Sequence, residues 1–397
     1  MREAVIVSGA RTPIGSFGGA FKDVPAPDLG AAAIRAALER AGLVSEKVDE
    51  VFMGNVLQAA DSGYAARLAT LRAGVPQEVP AISVNRACSS GLEAINIAAQ
   101  LIRTGEVEIA VAGGLENMSQ APYLIDYRAR LDGLRMGDHV IKDSLVGGLS
   151  CPVNLYHMGV GAENIREKYE ISREDQDAIA LMSHQRAVAA QKDDRFSEQI
   201  VEVEVPQGRS GTLTVSTDEG PREDTSLERL AKLRPAFKEG GTVTAGNASS
   251  INDGAAAVVI MSAEKAAELG LEPRLKWRAR GVVGVDPAFY GIGPVPAVRK
   301  ALRKAEMSLD DVDLVELNEA FAVQAIHNIR ELGLDIERTN VNGSGISLGH
   351  PIGATGAIMT VRLMEEMARR DDQVGLVTMC VAGGMGVATI FERGDGS

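Results

Sequence analysis

Val48-Asp49-Glu50-Val51 returns later in the chain as Val312-Asp313-Leu314-Val315, and each copy lies between a helical stretch and a polar loop carrying an asparagine, Asn55 and Asn318. A second echo follows in the same order. Val84-Asn85 precedes Cys88, and Val341-Asn342 precedes His350. Each is followed by a helix rich in small residues and then by a strand ending in a glycine pair, Gly113-Gly114 and Gly383-Gly384. The two separations, 264 and 257 residues, are nearly equal. One such match arises by chance among Ala-, Gly- and Val-rich segments; two in one order indicate internal duplication of an α/β module. Halves packed about a pseudo-twofold axis bring equivalent loops to the centre. That ordering predicts that Cys88, Asn318, His350 and Cys380 meet there.

Outward from these echoes, strands and helices alternate. Glu3–Ser8, Val51–Met53, Ala81–Val84 and Val107–Ala112 read as short buried strands, the last closing in Gly113-Gly114. Asp28–Ala41 reads as a helix with Asp28 as N-cap and Gly42 as its stop, and Ala65–Ala73 and Gly91–Arg103 as further helices. Strands apolar on all sides, alternating with helices, describe a sheet covered on both faces. From about Glu116 to Gly246 the texture changes: a Met- and Tyr-rich stretch, the helix Ser172–Lys192, the alternating Ile200–Val205 and a loop-like Thr214–Asp224. This reads as an insertion placed to cover a site. Apolar α/β sequence resumes at Asp253–Met261.

The chain has 397 residues, 45% of them hydrophobic and 24% charged, enough for two or three structural units with a large buried core. Apolar runs break well before the eighteen residues a membrane helix needs, and Met1–Ala10 reads as a first strand, not a signal peptide. A net charge of −13 argues against broad nucleic-acid binding but leaves room for a local basic groove. Cys88, Cys151 and Cys380 are widely spaced and odd in number, so neither a disulfide scaffold nor a zinc site is expected, and a reducing cytoplasm is the simpler setting. The stretch GARTPIGSFGG at Gly9–Gly19 lacks the dinucleotide-binding spacing, and no GxxxxGK[ST] occurs.

Local context then picks out candidate chemistry. Cys88 stands just before a helix, where unpaired N–H groups and the positive helix end favour thiolate; it reads equally as a small buried hydrophobe. Five glycines crowd Asn340–Gly356, and Pro351 fixes the chain directly after His350, a setting for an oriented general base or for a histidine that bridges loops. Cys380, followed by Val381-Ala382-Gly383-Gly384, can bring a second thiol and free N–H donors, or be core. Asn318 reads as a site residue or an ordinary N-cap. His139, His184 and His327 read as structural or solvated, whereas His157, beside Met158, falls at the rim of the insertion.

The ordered series SGARTPIGSFGG, MGNVLQA, VNRACSSGLEA, GGLENMSQAPY, YHMGVGAEN, GTVTAGNAS, NEAFA, NVNGSGISLGHPIGATG and the Cys380 segment resembles the thiolases, of the acetyl-CoA acetyltransferase or 3-ketoacyl-CoA thiolase kind, over essentially the whole chain. The resemblance implies a five-layer αβαβα core of two similar halves, residues 1–115 with 247–268 and residues 269–397. It makes residues 116–246 an inserted loop domain that binds CoA. It implies reversible Claisen condensation and thiolytic cleavage of 3-oxoacyl-CoA through an acyl-cysteine. Cys88 would be the nucleophile, His350 its base and Cys380 the acid/base at the α-carbon. Asn318 would hold a water in one oxyanion site; the N–H groups of Cys88 and Ala382, beside Gly383, would form the other. His157, Met158, Arg222, Ala248 and Ser249 would face CoA, with Phe321 and Met158 walling the acyl group. No permanent cofactor or metal is implied: CoA and acetyl-CoA are substrates. The resemblance also implies a homodimer or homotetramer working beside β-oxidation or acetoacetyl-CoA enzymes. Acetyl-CoA C-acetyltransferase is the leading activity; a longer-chain 3-ketoacyl-CoA thiolase and a non-catalytic acyl-CoA carrier are the alternatives.

The sequence departs from the family pattern at a few places. Ala382 stands where a glycine is usual, Met385 where a glutamine is common, and CSSG and GSGISLGHP replace CGSG and GGAIALGHP. An alanine keeps its N–H, so the donor survives if the backbone at Ala382 has negative φ.

Overall fold

The repeat read at Val48 and Val312 holds down to single hydrogen bonds in the computed structural model, which describes residues 1–58, 63–208 and 211–394; Ala59, the last residue of MGNVLQA, lies outside them. The Asp49 N–H donates to Ile109 O, and its carboxylate accepts the N–H groups of Glu108 and Ile109, all at 2.9 Å. Asp313 repeats the pattern with Gln373 and Val374 at the same 2.9 Å. Upstream, Gly42 and Glu306 both end helices in left-handed conformation. In this register Asn318 stands opposite Gly54, not opposite Asn55.

The first half comprises β1 (Ala4–Arg11), α1 (Ala26–Ala41), β2 (Glu50–Gly54), α2 (Ala65–Arg72), β3 (Ala81–Val84), α3 (Ser90–Thr104), β4 (Ile109–Asn117) and β5 (Asn252–Ser262). Between β4 and β5 lie α4 (Met158–Tyr169), α5 (Arg173–Lys192) and two hairpins, Tyr123–Ile125 with Ile141–Asp143 and Val203–Pro206 with Thr212–Val215. The second half comprises β6 (Leu275–Gly284), α6 (Pro294–Ala305), β7 (Leu314–Leu317), α7 (Ala322–Leu332), α8 (Thr355–Arg370), β8 (Val374–Val381) and β9 (Met385–Arg393).

The strand order β7-β8-β9-β6-β1-β5-β4-β2-β3 is, apart from the edge strand β3, a palindrome of equivalents about the β6–β1 seam. Pairing senses repeat on both sides: β2 with β4 and β7 with β8 are parallel, as is β2 with the edge strand β3, and the remaining pairs are antiparallel. β1 and β6 carry a bulge at matching places, between Ile6 and Ser8 and between Trp277 and Ala279. The seam itself is short, Val5 with Lys276 and Ile6 with Leu275. Trp277 reinforces it, donating its indole N–H to Asn96 Oδ1 on α3 at 2.7 Å.

Five layers result. α1 and α2 cover the first half-sheet, α6 and α7 cover the second, and α3 with α8 fill the space between. Leu92 and Ile95 of α3 pack with Ile358 and Val361 of α8 and with Ala112 and Val377 from the two half-sheets in one apolar cluster. The middle helices touch at matching glycines: a Cβ on Gly356 would lie 2.5 Å from that of Leu92, and one on Gly91 3.0 Å from the Ala357 nitrogen. Side chains at both positions would separate the half-sheets.

Several local expectations need correction. α1 starts at Ala26 after Pro25, and Asp28 lies within its first turn, where it pairs with Arg72 at 3.0 Å. A proline-initiated first turn needs no side-chain cap. β4 does not close at Gly113-Gly114 but runs through them to Asn117, because side chains there would strike Ala256 of β5 and Gly353 of the His350 loop. Gly383 and Gly384 instead form the turn beyond β8, both at φ 82°, so the two glycine pairs are not equivalent. Among the described residues no helix is long and apolar enough to cross a membrane.

Candidate active site

The turn from β3 to α3 presents Cys88. Asn85 Oδ1 accepts the Ala87 N–H at 3.0 Å; Ser90 Oγ accepts the Arg86 N–H at 2.9 Å and donates to Ala87 O at 2.6 Å. These bonds hold Ala87 at φ 43°, a left-handed conformation that costs an alanine about 1–2 kcal/mol. The thiol of Cys88 faces the backbone N–H groups of Ala382 and of Cys88 itself. Burial nonetheless outweighs those donors and raises its pKa, so the resting state is thiol, contrary to the thiolate expected from the helix terminus alone.

Cys380 lies on β8 opposite Gly386 of β9 and is 1% exposed. Burial, and then the proximity of Cys88, raise its pKa strongly. Ala382 is absent from the left-handed residues, so its N–H is presented without strain while Gly383 and Gly384 take the bend.

His350 sits in the glycine-rich loop before α8. Its backbone N–H donates to Asn252 Oδ1 at 2.9 Å, and its Nδ1 lies 2.7 Å from Thr355 Oγ1. Thr355 Oγ1 also lies 2.8 Å from Pro351 O; with the hydroxyl proton on that carbonyl, Nδ1 donates to Oγ1 and Nε2 carries the lone pair. Asn318 Nδ2 reaches that nitrogen at 3.4 Å. Burial pushes the His350 pKa down to about 4, leaving a neutral base at neutral pH. Asn318 is no N-cap: Phe321 occupies that place before α7, and Asn318 Oδ1 finds no donor among the described residues.

One cavity of about 770 Å³ gathers Cys88, His350, Cys380 and Ala382 at one end. His157, Met158, Ala248, Ser249, Phe321 and Arg222 also line it. Of the sequence candidates, Asn318 and Gly383 stand just behind the wall. His157 caps α4, its Nδ1 accepting the Gly159 N–H at 3.1 Å, and stacks on Phe237 at 4.7 Å. Phe237 in turn meets Phe321 edge-on at 5.9 Å. The GNAS and NEAF segments lie side by side, Ala248 bridged to Phe321 and Ser249 N–H donating to Ala320 O at 2.9 Å.

Sequence reasoning passed over Thr355, Asn252, Phe237, Tyr290, His184 and Glu116. His184, expected to be structural or solvated, also lines the cavity. Glu116 is buried and accepts N–H groups from Val56 and Gly353 at 2.9 Å and from Leu57 at 3.2 Å; burial raises its pKa to about 7. A lone carboxylate in the otherwise apolar run before Asn117 was the available signal.

The fold and the site together define a class: a duplicated α/β protein in which two thiols, one half-buried and one buried, and a neutral imidazole face one cavity. The thiolase N-terminal domain matches residues 4–264 and the thiolase C-terminal domain residues 271–393. An acetyl-CoA acetyltransferase of Pseudomonas aeruginosa is 51% identical over 394 residues, 99% of this chain and 100% of that protein. The crystal structure of the Bacillus anthracis acetyl-CoA acetyltransferase superposes with a TM-score of 0.97 at 46% identity, covering 99% of both chains. Human mitochondrial 3-ketoacyl-CoA thiolase gives 0.95 at 43%, again over 99% of both. The chain belongs to the thiolase family.

Proposed function

We propose that the chain is an acetyl-CoA C-acetyltransferase, catalysing reversible condensation of two acetyl-CoA molecules and thiolysis of acetoacetyl-CoA. The observation that carries this is the convergence of Cys88, Cys380 and His350 on one cavity. In the cleavage direction, His350 Nε2 takes the Cys88 proton as the sulfur attacks the ketone carbonyl. The carbon–carbon bond breaks, its electrons form the acetyl-CoA enolate, and the Cys380 thiol protonates the α-carbon. CoA–SH then gives its proton to the Cys380 thiolate and takes the acyl group from Cys88, whose departing sulfur recovers the proton held on His350, a sulfur-to-sulfur exchange that is close to thermoneutral.

Charge on the thioester oxygens needs donors. The N–H groups of Cys88 and Ala382, which already face the Cys88 sulfur, suit the acyl-enzyme oxyanion; Asn318 and His350 suit the enolate oxygen, through a bound water. Each such donor is worth about 3–4 kcal/mol of barrier. Burial keeps thiol and imidazole neutral at rest, so the Cys88 proton has to pass to His350 for the sulfur to attack.

Residues 116–246 are the CoA-binding loop domain in this reading, with its His157, Met158 and Arg222, and Ala248 and Ser249 just beyond it, toward CoA. The His157–Phe237–Phe321 stack favours a short acyl group by closing the apolar wall. Exposed Tyr123, Tyr127, Leu131 and Met136 on the insertion, and Ile82 on edge strand β3, support a homodimer or homotetramer. The cytoplasm and acetoacetyl-CoA or β-oxidation enzymes complete the proposed setting. Thiolysis rate measured against acyl length from four to sixteen carbons tests the reading. A steep fall beyond four is expected; a maximum at longer chains would establish the 3-ketoacyl-CoA alternative, and binding without turnover the carrier.

A further inference from the structure

The cavity lining is of two chemical kinds. The thiols, Phe321 and Met158 are neutral and apolar, whereas Arg222 and Arg229 are the arginines, among the described residues, on its wall. The acids beside Arg222 are already engaged: Glu223 pairs with Lys192 at 3.0 Å and Asp224 with Arg229. Arg222 itself is left with no carboxylate in ion-pairing reach among the described residues. A phosphate-bearing group fits beside that guanidinium.

The segment that delivers Arg222 is pinned at both ends by residues with no part in the chemistry. At one end the buried Arg11 of β1 clasps Asp218 through two bonds, 2.7 and 2.9 Å, and its Nε donates to Gln199 at 3.0 Å. Asp218 Oδ1 also accepts the Ile14 N–H at 2.8 Å. Glu219 is drawn inward by the N–H groups of Ser16 and Ala20. In the middle, Gly220 lies so close to the carbonyls of Ser347 and Leu348 that a Cβ would collide with them. At the other end His184 Nδ1 accepts the Arg222 N–H at 3.2 Å. The neighbouring Ser183 hydroxyl anchors that turn of α5 to Glu319 at 2.6 Å and to Ser347 at 2.8 Å.

We propose that Arg11 and His184 are positioning residues that hold Asp218–Arg222 as a rigid strap, so that Arg222 meets the phosphates of CoA while the thioester reaches the thiols. The proposal rests on the thiolase reading and adds two residues that act through the strap. A merely structural role would weaken turnover of any thioester. A strap for the nucleotide end weakens only substrates that carry it.

The test compares thiolysis of acetoacetyl-CoA by CoA with thiolysis of acetoacetyl-pantetheine by pantetheine. His184→Leu removes the acceptor and is expected to lower kcat/KM for the CoA pair about 10-fold, the scale of one lost hydrogen bond, and for the pantetheine pair less than about 2-fold. His184→Asn, whose Oδ1 replaces Nδ1, should recover most of the loss. Asp218→Asn loosens the opposite end, should shift the same ratio in the same direction, and decides the matter if the leucine variant does not fold. Equal losses on both pairs, or none on the CoA pair, overturn the strap. An unsubstituted chain inert toward both pairs would instead overturn the thiolase reading itself.

Discussion

The two halves share a framework and part company at one connection. Strands β4 and β8 are equivalent, yet β4 reaches β5 through Met118–Ile251 and β8 reaches β9 through Ala382-Gly383-Gly384. The long connection brings side chains to the cavity: His157, Met158, Arg222 and Phe237 all come from it. The short one brings mainly backbone, a bend carried by two left-handed glycines that leaves the Ala382 N–H facing Cys88. Sheet and middle helices hold the repeat in register, and the loops at the strand ends are free to diverge. Duplication followed by unequal loops thus turns a symmetric scaffold into an asymmetric site.

The sharpest break in this comparison separates the thiols. Cys88→Ala, in the first half, should lower turnover at least about 10⁴-fold and abolish the acyl-enzyme mass shift given by acetyl-CoA. Cys380→Ala, in the second half, should block carbon–carbon chemistry comparably while leaving acetylation of Cys88 visible by mass spectrometry. If both variants lose the mass shift, the halves do not divide the two half-reactions. Iodoacetamide alkylation should rise with pH to a midpoint above the ordinary thiol value of about 8.5, because burial disfavours the thiolate at Cys88.

A smaller effect tests the orientation of the base. Thr355→Val removes the acceptor that fixes the His350 tautomer, and kcat/KM should fall about 10–100-fold with Thr355→Ser near the unsubstituted value. Equal damage from both would point to packing. The smallest effect belongs to the departure from the family pattern. Ala382→Gly should change kcat less than about 3-fold and cost roughly 0.5–1 kcal/mol of stability by thermal unfolding, since an alanine outside the left-handed region loses less backbone freedom on folding than glycine does.

The repeat and the thiol–imidazole set were legible because short sequence words carry them: VDEV and VDLV, the cysteine before α3, the histidine before α8. What escaped depends on contacts between distant segments. Thr355 is an ordinary helix-starting threonine until His350 is seen above it, and Asn252 holds the His350 backbone from the far side of the insertion. The charge state of Cys88 was misjudged because a helix terminus is visible in sequence whereas desolvation is not. His184 looked like one more polar residue on a helix, since its partner, the Arg222 N–H, lies beyond a hairpin. Asn55 and Asn318 looked equivalent by residue type, and backbone register set them one position apart.

Trp277 is the single tryptophan of the chain, 6% exposed, bonded to Asn96 of the other half and covered by the Arg103 guanidinium 5.1 Å from its ring centroid. Nature has therefore left one intrinsic fluorophore at the junction of the two modules. Its emission maximum reports wetting of that junction, free of background from any second indole. A red shift that precedes loss of helical circular dichroism during denaturation would mark the modules separating before either melts.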